Sequence, residues 1–172
     1  LLLELAILGF LHEEALHGYE LKQRITMLTG HFRPVSDGAL YPAIARLEKQ
    51  GFLTRHQEEG AVAAPRQVLS LTPAGEAELL RRVQEISDLD ISDRNHFFTL
   101  LAFLRFFPVS DQRQVLQKRL DFLEGGRSFF SAGGKPVRLA EETDPFRRGM
   151  LLIARETSRV EREWLKTTLD NL

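Results

Sequence analysis

The residues of this chain best equipped for chemistry are hydrogen-bond donors rather than nucleophiles or metal ligands. Arg46 can bind a phosphate or read a guanine edge with two parallel donors, because its guanidinium is planar and permanently charged. Its alternative is a surface pair with Glu48 or Asp37, which contributes little. Tyr41 can donate its hydroxyl to a phosphate, and its ring can pack beside Pro42. Arg66 reads as a phosphate clamp or a solvated charge, and Lys22, Arg24 and Arg33 are open in the same way. The five histidines (His12, His17, His31, His56, His96) lack metal-ligand spacing. No nucleophile-elbow motif and no phosphate-cradling glycine loop is present. The absence of cysteine excludes disulfides and thiolate zinc sites. No enzyme activity and no cofactor is expected.

Most of these donors belong to one stretch, Ser36 to Gly51, which reads as an amphipathic helix. Leu40, Ile44 and Leu47 fall at i, i+4 and i+7 and share one face. Ser36 is placed as the N-cap and Gly51 as the stop. Opposite the apolar stripe lie Gly38, Pro42, Ala45, Arg46 and Lys49, with Tyr41 at the margin. Such a face is small at its start and cationic at its end, so its backbone can press close to another surface. Pro42 lacks a donor and crowds the carbonyl of Gly38, which predicts a tight or kinked first turn.

The rest of the chain must position that helix. Residues 1–12 are apolar nearly all round, as in a helix enclosed on several sides. His17-Gly18-Tyr19-Glu20 opens a second helix that ends at Gly30. After Gly51, residues 52–57 and 66–71 are β-capable and read as an antiparallel hairpin. Thr72-Pro73 opens a further helix, expected to run to about Ser87. Helix, helix, helix, hairpin, helix is the order of a winged helix-turn-helix, whose third helix enters a major groove. Asp88 to Arg94 is the expected seam, giving domains 1–87 and 88–172. Beyond it, residues 96–107 form a phenylalanine-rich helix ended by Pro108. The last helix begins near Asp144-Pro145. Its Phe146, Met150, Ile153, Thr157, Val160 and Trp164 follow a 4-3-4-3-4 spacing, the seam of a helix-on-helix contact. An intrachain bundle and a subunit interface both fit, and the subunit interface is the expectation, since the apolar area would otherwise stay exposed. Trp164 and the Phe97–Phe107 cluster could line a cavity for a flat aromatic effector, or be core.

Composition allows all of this. The chain has 172 residues, 43% of them hydrophobic, enough for one domain with an appendage or two small ones. No apolar run is long enough to span a membrane. The N-terminal run is interrupted by Glu4 and lacks a basic lead, so no secretory leader is expected and the cytoplasm is the expected location. The chain opens on Leu1 rather than methionine, which suggests a few preceding residues. Residues 1–85 carry nine Lys/Arg against eleven Asp/Glu, so DNA binding requires a local cationic patch.

The N-terminal part resembles the PadR family of bacterial transcriptional regulators. The likeness is carried by His17-Gly18-Tyr19-Glu20-Leu21, by Ser36 to Glu48 (SDGALYPAIARLE), by Gly51-Phe52-Leu53, by Pro65-Arg66 and by Leu71-Thr72-Pro73-Ala74-Gly75. The later helices are similar to those of the longer PadR branch, whose helical C-terminal domain resembles that of virulence activators. The resemblance implies a mostly α protein: an N-terminal winged helix-turn-helix of three helices and a two-stranded wing, then a helical dimerisation domain. It implies a homodimeric repressor on a double-stranded, roughly palindromic operator. An effector, aromatic among the candidates, is expected from relatives that respond to phenolic acids or drugs. Carried over by position, Tyr41, Pro42 and Arg46 lie on the recognition helix, with Ser36 and Gly38 at its start. Tyr19 and Lys22 approach a phosphate, and Arg66 anchors the wing. The dimer contact falls to Phe146, Met150, Ile153, Val160 and Trp164. The family's aromatic pair after the wing's basic residues is absent, the run here being Arg66-Gln67-Val68-Leu69. The competing class is a winged-helix adaptor for proteins that does not bind DNA, which the acidic N-terminal half favours.

Overall fold

The computed structural model describes residues 2–30, 34–57, 67–125, 129–132 and 134–172. It is mostly helical and divides into two compact units, 1–111 and 112–172.

The first unit is built around α1 (Leu2–Glu13), whose Leu5, Ala6, Ile7, Leu8 and Leu11 are buried. A helix apolar on nearly every side needs neighbours on every side. Those neighbours are α2 (Gly18–Thr29), α3 (Asp37–Lys49), β3 (Gln67–Leu71), α4 (Pro73–Gln84) and α6 (Arg94–Phe103). Local signals set the boundaries. His17 and Glu20 form a reciprocal capping box at the start of α2. The Thr72 hydroxyl accepts from the Gly75 amide at 3.0 Å at the start of α4. The helix α3 ends on Gly51 at φ 78°, which frees the Gly51 amide to reach the Glu48 carbonyl at 2.9 Å.

β2 (Leu53–Gln57) pairs antiparallel with β3, from Leu53 opposite Leu71 to Gln57 opposite Gln67. This is the expected wing, directly after the third helix. A third short strand, β1 (Leu16–His17), completes the sheet in the order β1-β3-β2. The fold is a winged helix-turn-helix, with one strand more than expected.

Residues beyond 87 extend the first unit. α5 (Asp88–Ser92) and α6 pack with it, and Phe103 is the reason. Its ring stands edge-on to Phe10, centroids 5.0 Å apart. A Cβ added to Gly9 would come within 2.6 Å of that ring, so only glycine leaves room. Phe97, Phe103 and Phe107 are thus core side chains of the first unit, 1%, 1% and 7% exposed. The compact units divide at 111/112, whereas acidity placed the seam at 87/88.

α7 (Val109–Glu124) runs across that division. The second unit also holds a short hairpin, β4 (Ser131–Ala132) with β5 (Lys135–Pro136), and the long α8 (Pro145–Asn171). Asp144 caps α8 by accepting from the amides of Phe146 and Arg147 at 3.0 and 2.8 Å. Arg119 of α7 donates to Glu161 of α8 at 2.6 Å, both side chains almost fully buried. Desolvation offsets much of the attraction in such a buried pair, so its net contribution to stability is small, whereas removal of one partner alone would be costly.

Candidate nucleic-acid interface

The third helix shows the two faces its spacing predicts. Leu40, Ala43, Ile44 and Leu47 are buried. Gly38, Pro42, Ala45, Arg46 and Lys49 are exposed, and Tyr41 is 48% exposed. A Cβ added to Gly38 would meet open space, so that face is bare at its start.

Ser36 holds the N-cap position at φ −74°, ψ 150°, but its side chain makes no cap hydrogen bond, contrary to expectation. Its carbonyl instead accepts from the amides of Ala39 and Leu40 at 3.1 and 3.0 Å. The negative group at this helix start is Asp37, which accepts from Lys22 Nζ at 2.7 Å. The Lys22 charge is therefore engaged with a carboxylate.

Tyr41 lies over the start of α2, where a Cβ added to Gly18 would stand 3.5 Å from its ring. Tyr19 is 67% exposed, and its hydroxyl accepts from Gln23 at 2.7 Å, which leaves its own proton to donate. The two tyrosines line one groove of about 270 Å³ with Gly18, Ile44, Arg55, Gln67 and Leu69. Arg55 did not stand out in the sequence. It joins the recognition helix to the wing, donating to Glu48 and to Gln67, each at 2.9 Å. A cation on the strand directly after the third helix was the available signal.

Arg46 pairs with neither Glu48 nor Asp37. It donates to Glu4 of α1 through Nε at 3.2 Å and Nη2 at 2.9 Å. The other oxygen of Glu4 accepts from Arg82 at 2.9 Å, and Arg82 donates in turn to Glu78 at 2.7 Å. Burial pushes the Glu4 carboxyl up, but the Arg82 and Arg46 guanidiniums outweigh it and hold the group below its ordinary value. Hydrogen bonds from Arg81, then Arg82, lower Glu78 to about 2 against its burial. Lys49, by contrast, has no ion-pair partner among the described residues. Arg66 and Arg33 lie outside the described residues.

In the second unit, α8 buries Leu151, Glu161, Leu165 and Leu169. The opposite seam is bare. Phe146, Met150, Ile153, Val160 and Trp164 are 86%, 41%, 67%, 58% and 43% exposed. These large apolar groups recur at heptad spacing along one exposed face of α8. Trp164 stands on this face, while Phe97 and Phe103 of α6 lie in the core of the first unit and Phe98 is 45% exposed. Among the described residues no helix is long and apolar enough to cross a membrane.

Comparison with known proteins bears on the first unit most directly. Residues 7–81 match the profile of the transcriptional regulator PadR-like family. The chain is 26% identical over 142 residues to the negative transcriptional regulator PadR of Bacillus subtilis, covering 78% of each. It is 42% identical over 59 residues to the transcriptional regulator YqjI of Escherichia coli, covering 34% of this chain and 28% of that one. Among solved structures, Bacillus subtilis PadR in complex with operator DNA is similar over 99% of this chain and 97% of that one, at 20% identity and a TM-score of 0.47. A transcriptional regulator from Clostridium thermocellum is similar over 48% of this chain and 78% of that one, at 29% identity and a TM-score of 0.44.

Proposed function

Because the chain belongs, through residues 7–81, to the PadR-like family of transcriptional regulators, we propose that it is a repressor that binds a roughly palindromic operator as a homodimer. The observation that carries this reading is the outward face of α3. Its apolar stripe is fully buried while Gly38, Pro42, Ala45, Arg46 and Lys49 all face solvent beside the wing. A helix bare at its start can lie deep in a major groove, and Arg46 and Lys49 then meet phosphates or base edges. Tyr19, Tyr41 and Arg55 border the same face and supply further phosphate donors. Ser36 and Lys22 flank its start, and Arg66, outside the described residues, is assigned to the wing contact by the family resemblance.

The exposed seam of α8 supports pairing of two chains through Phe146, Met150, Ile153, Val160 and Trp164. Two heads on one body suit a two-fold operator. Work in the cytoplasm, release by a small effector, and no catalysis complete the reading.

One observation favours the adaptor alternative. Arg46, Lys22 and Arg55 each already hold a carboxylate, Glu4, Asp37 and Glu48 respectively. These pairs are solvent-screened and individually weak, so a polyanion can displace them. Footprinting of the DNA upstream of the chain's own gene tests the proposal. A symmetric protected site, with binding weakened by Arg46→Ala in a protein that still folds and loses at most about 1 kcal/mol of stability, is expected. No protected site, or an Arg46→Ala protein of unaltered affinity, removes this face from the interaction.

A further inference from the structure

The Arg46 guanidinium has two unlike edges. Its inner edge, Nε and Nη2, donates to a single oxygen of Glu4 at 3.2 and 2.9 Å. Its outer edge, Nη1 and the second hydrogen of Nη2, has no partner among the described residues, and the side chain is mostly exposed. That outer edge is a planar fork of parallel donors.

Glu4 is itself anchored. Its other oxygen accepts from Arg82 at 2.9 Å, and Arg82 donates in turn to Glu78 at 2.7 Å. All three of these side chains are largely shielded from solvent. Arg46 of α3 is thus tied through Glu4 of α1 to two residues of α4, all within the first unit. An ordinary surface pair must immobilise two free side chains and contributes little. Here one partner is already fixed, so the pair orients the other.

Orientation matters to some acceptors more than to others. A phosphate oxygen accepts from many directions, whereas O6 and N7 of guanine take two parallel donors in one plane. Adenine presents one acceptor and one donor at that edge, so a fixed fork rejects it. The carboxylate behind the fork also offsets the Arg46 charge, which weakens its pull on phosphates of any sequence. Both effects favour a base edge over the backbone.

We infer that Glu4 is a positioning residue for DNA recognition: it holds Arg46 with its outer edge presented to a guanine, trading general affinity for sequence discrimination. The inference rests on the regulator reading and deepens it, by assigning Arg46 a base on the operator. On a duplex without a guanine in that place, Arg46 falls back on a phosphate, as any cation does.

The test is selection of bound duplexes from a randomised pool, followed by sequencing, with the full chain as wild type, Arg46→Lys, Glu4→Met and Glu4→Gln. Wild type is expected to select a guanine in each half-site that Arg46→Lys no longer selects, because an ammonium keeps the charge without the fork. Glu4→Met removes the acceptor at similar length. Its preference for that guanine should fall roughly two- to tenfold, the worth of ordering one long side chain, with the other selected positions kept. Its affinity for random duplex, read by fluorescence anisotropy, should rise. Glu4→Gln keeps one acceptor oxygen and should fall between wild type and Glu4→Met; circular dichroism checks that each variant folds. Undiminished guanine preference in a folded Glu4→Met or Glu4→Gln protein overturns the inference. So does an Arg46→Lys protein that selects the same bases as wild type. A wild type that selects no sequence at all fails the regulator reading itself, whereas a selective wild type whose Glu4 variants keep its selection fails only the role of Glu4.

Discussion

Replacing Glu4 by glutamine should move stability and DNA affinity in opposite directions. Glu4 is shared by two arginines whose surroundings differ. Arg82 is 11% exposed and Glu4 is 17% exposed, so that half of the cluster is shielded. Arg46 is 59% exposed, so its half is screened and contributes only about 0.2–1 kcal/mol. Glu4→Gln keeps the shape and removes the charge. Arg82 retains Glu78 at 2.7 Å, which limits the loss of folding stability to roughly 1–2 kcal/mol. Arg46 is released from its competitor. If it meets a phosphate, duplex affinity rises by up to about fivefold per head, the equivalent of about 1 kcal/mol. Fluorescence anisotropy with a labelled duplex at fixed low salt reads the affinity, and urea unfolding reads the stability. Affinity that stays level or falls in a fully folded Glu4→Gln protein would refute the placement of Arg46 at the DNA.

Three further outcomes follow from the geometry. Gly75→Ala would set a Cβ 2.2 Å from the Phe52 carbonyl oxygen, a backbone atom with little freedom, so urea unfolding should show a loss of roughly 1–3 kcal/mol; unchanged stability would contradict the packing of α4 on the wing. Glu4 and Glu78 have lowered pKa values in the folded chain, so the unfolded chain takes up protons first as pH falls. Both stabilise the fold above their ordinary range and less as pH falls; for Glu78 the effect is whole above about 4.5 and lost as pH falls towards about 2, and Glu78→Gln should flatten the acid limb of the stability curve in that window. Ile153→Glu places a charge on the seam, and sedimentation should show a monomer with far-UV circular dichroism unchanged; a persistent dimer would move the interface elsewhere.

The helix at the centre of the site was legible because its periodicity and its stop are local. Leu40, Ile44 and Leu47 fixed the buried face, and Gly51 fixed the end. The apolar spacing along α8 was legible for the same reason, and the structure leaves that face exposed. What escaped depends on contacts distant in sequence. Nothing within Leu16–His17 announces a strand, because two residues carry no period; pairing with Val68 and Leu69 makes them one. Glu4 is 42 residues from Arg46, so the obvious partners were the nearer Glu48 and Asp37. Ser36 was assigned a side-chain cap from its type, yet its hydroxyl makes none. The acidic stretch after Ser87 suggested a boundary, but the fit of Phe103 against Gly9 keeps α6 with the first unit. Composition reports where a chain is polar, and packing decides where it is compact.

The most direct measurement is a salt titration of binding to random duplex DNA, with the wild-type chain and with Arg46→Ala. Each phosphate neutralised by a cation contributes about −0.9 to the slope of log affinity against log salt. The wild-type dimer is expected to show a steep negative slope, and Arg46→Ala a slope shallower by up to about two, one phosphate for each head. Binding that ignores salt, or a slope that Arg46→Ala leaves untouched, would mean that the bare face of α3 does not meet DNA.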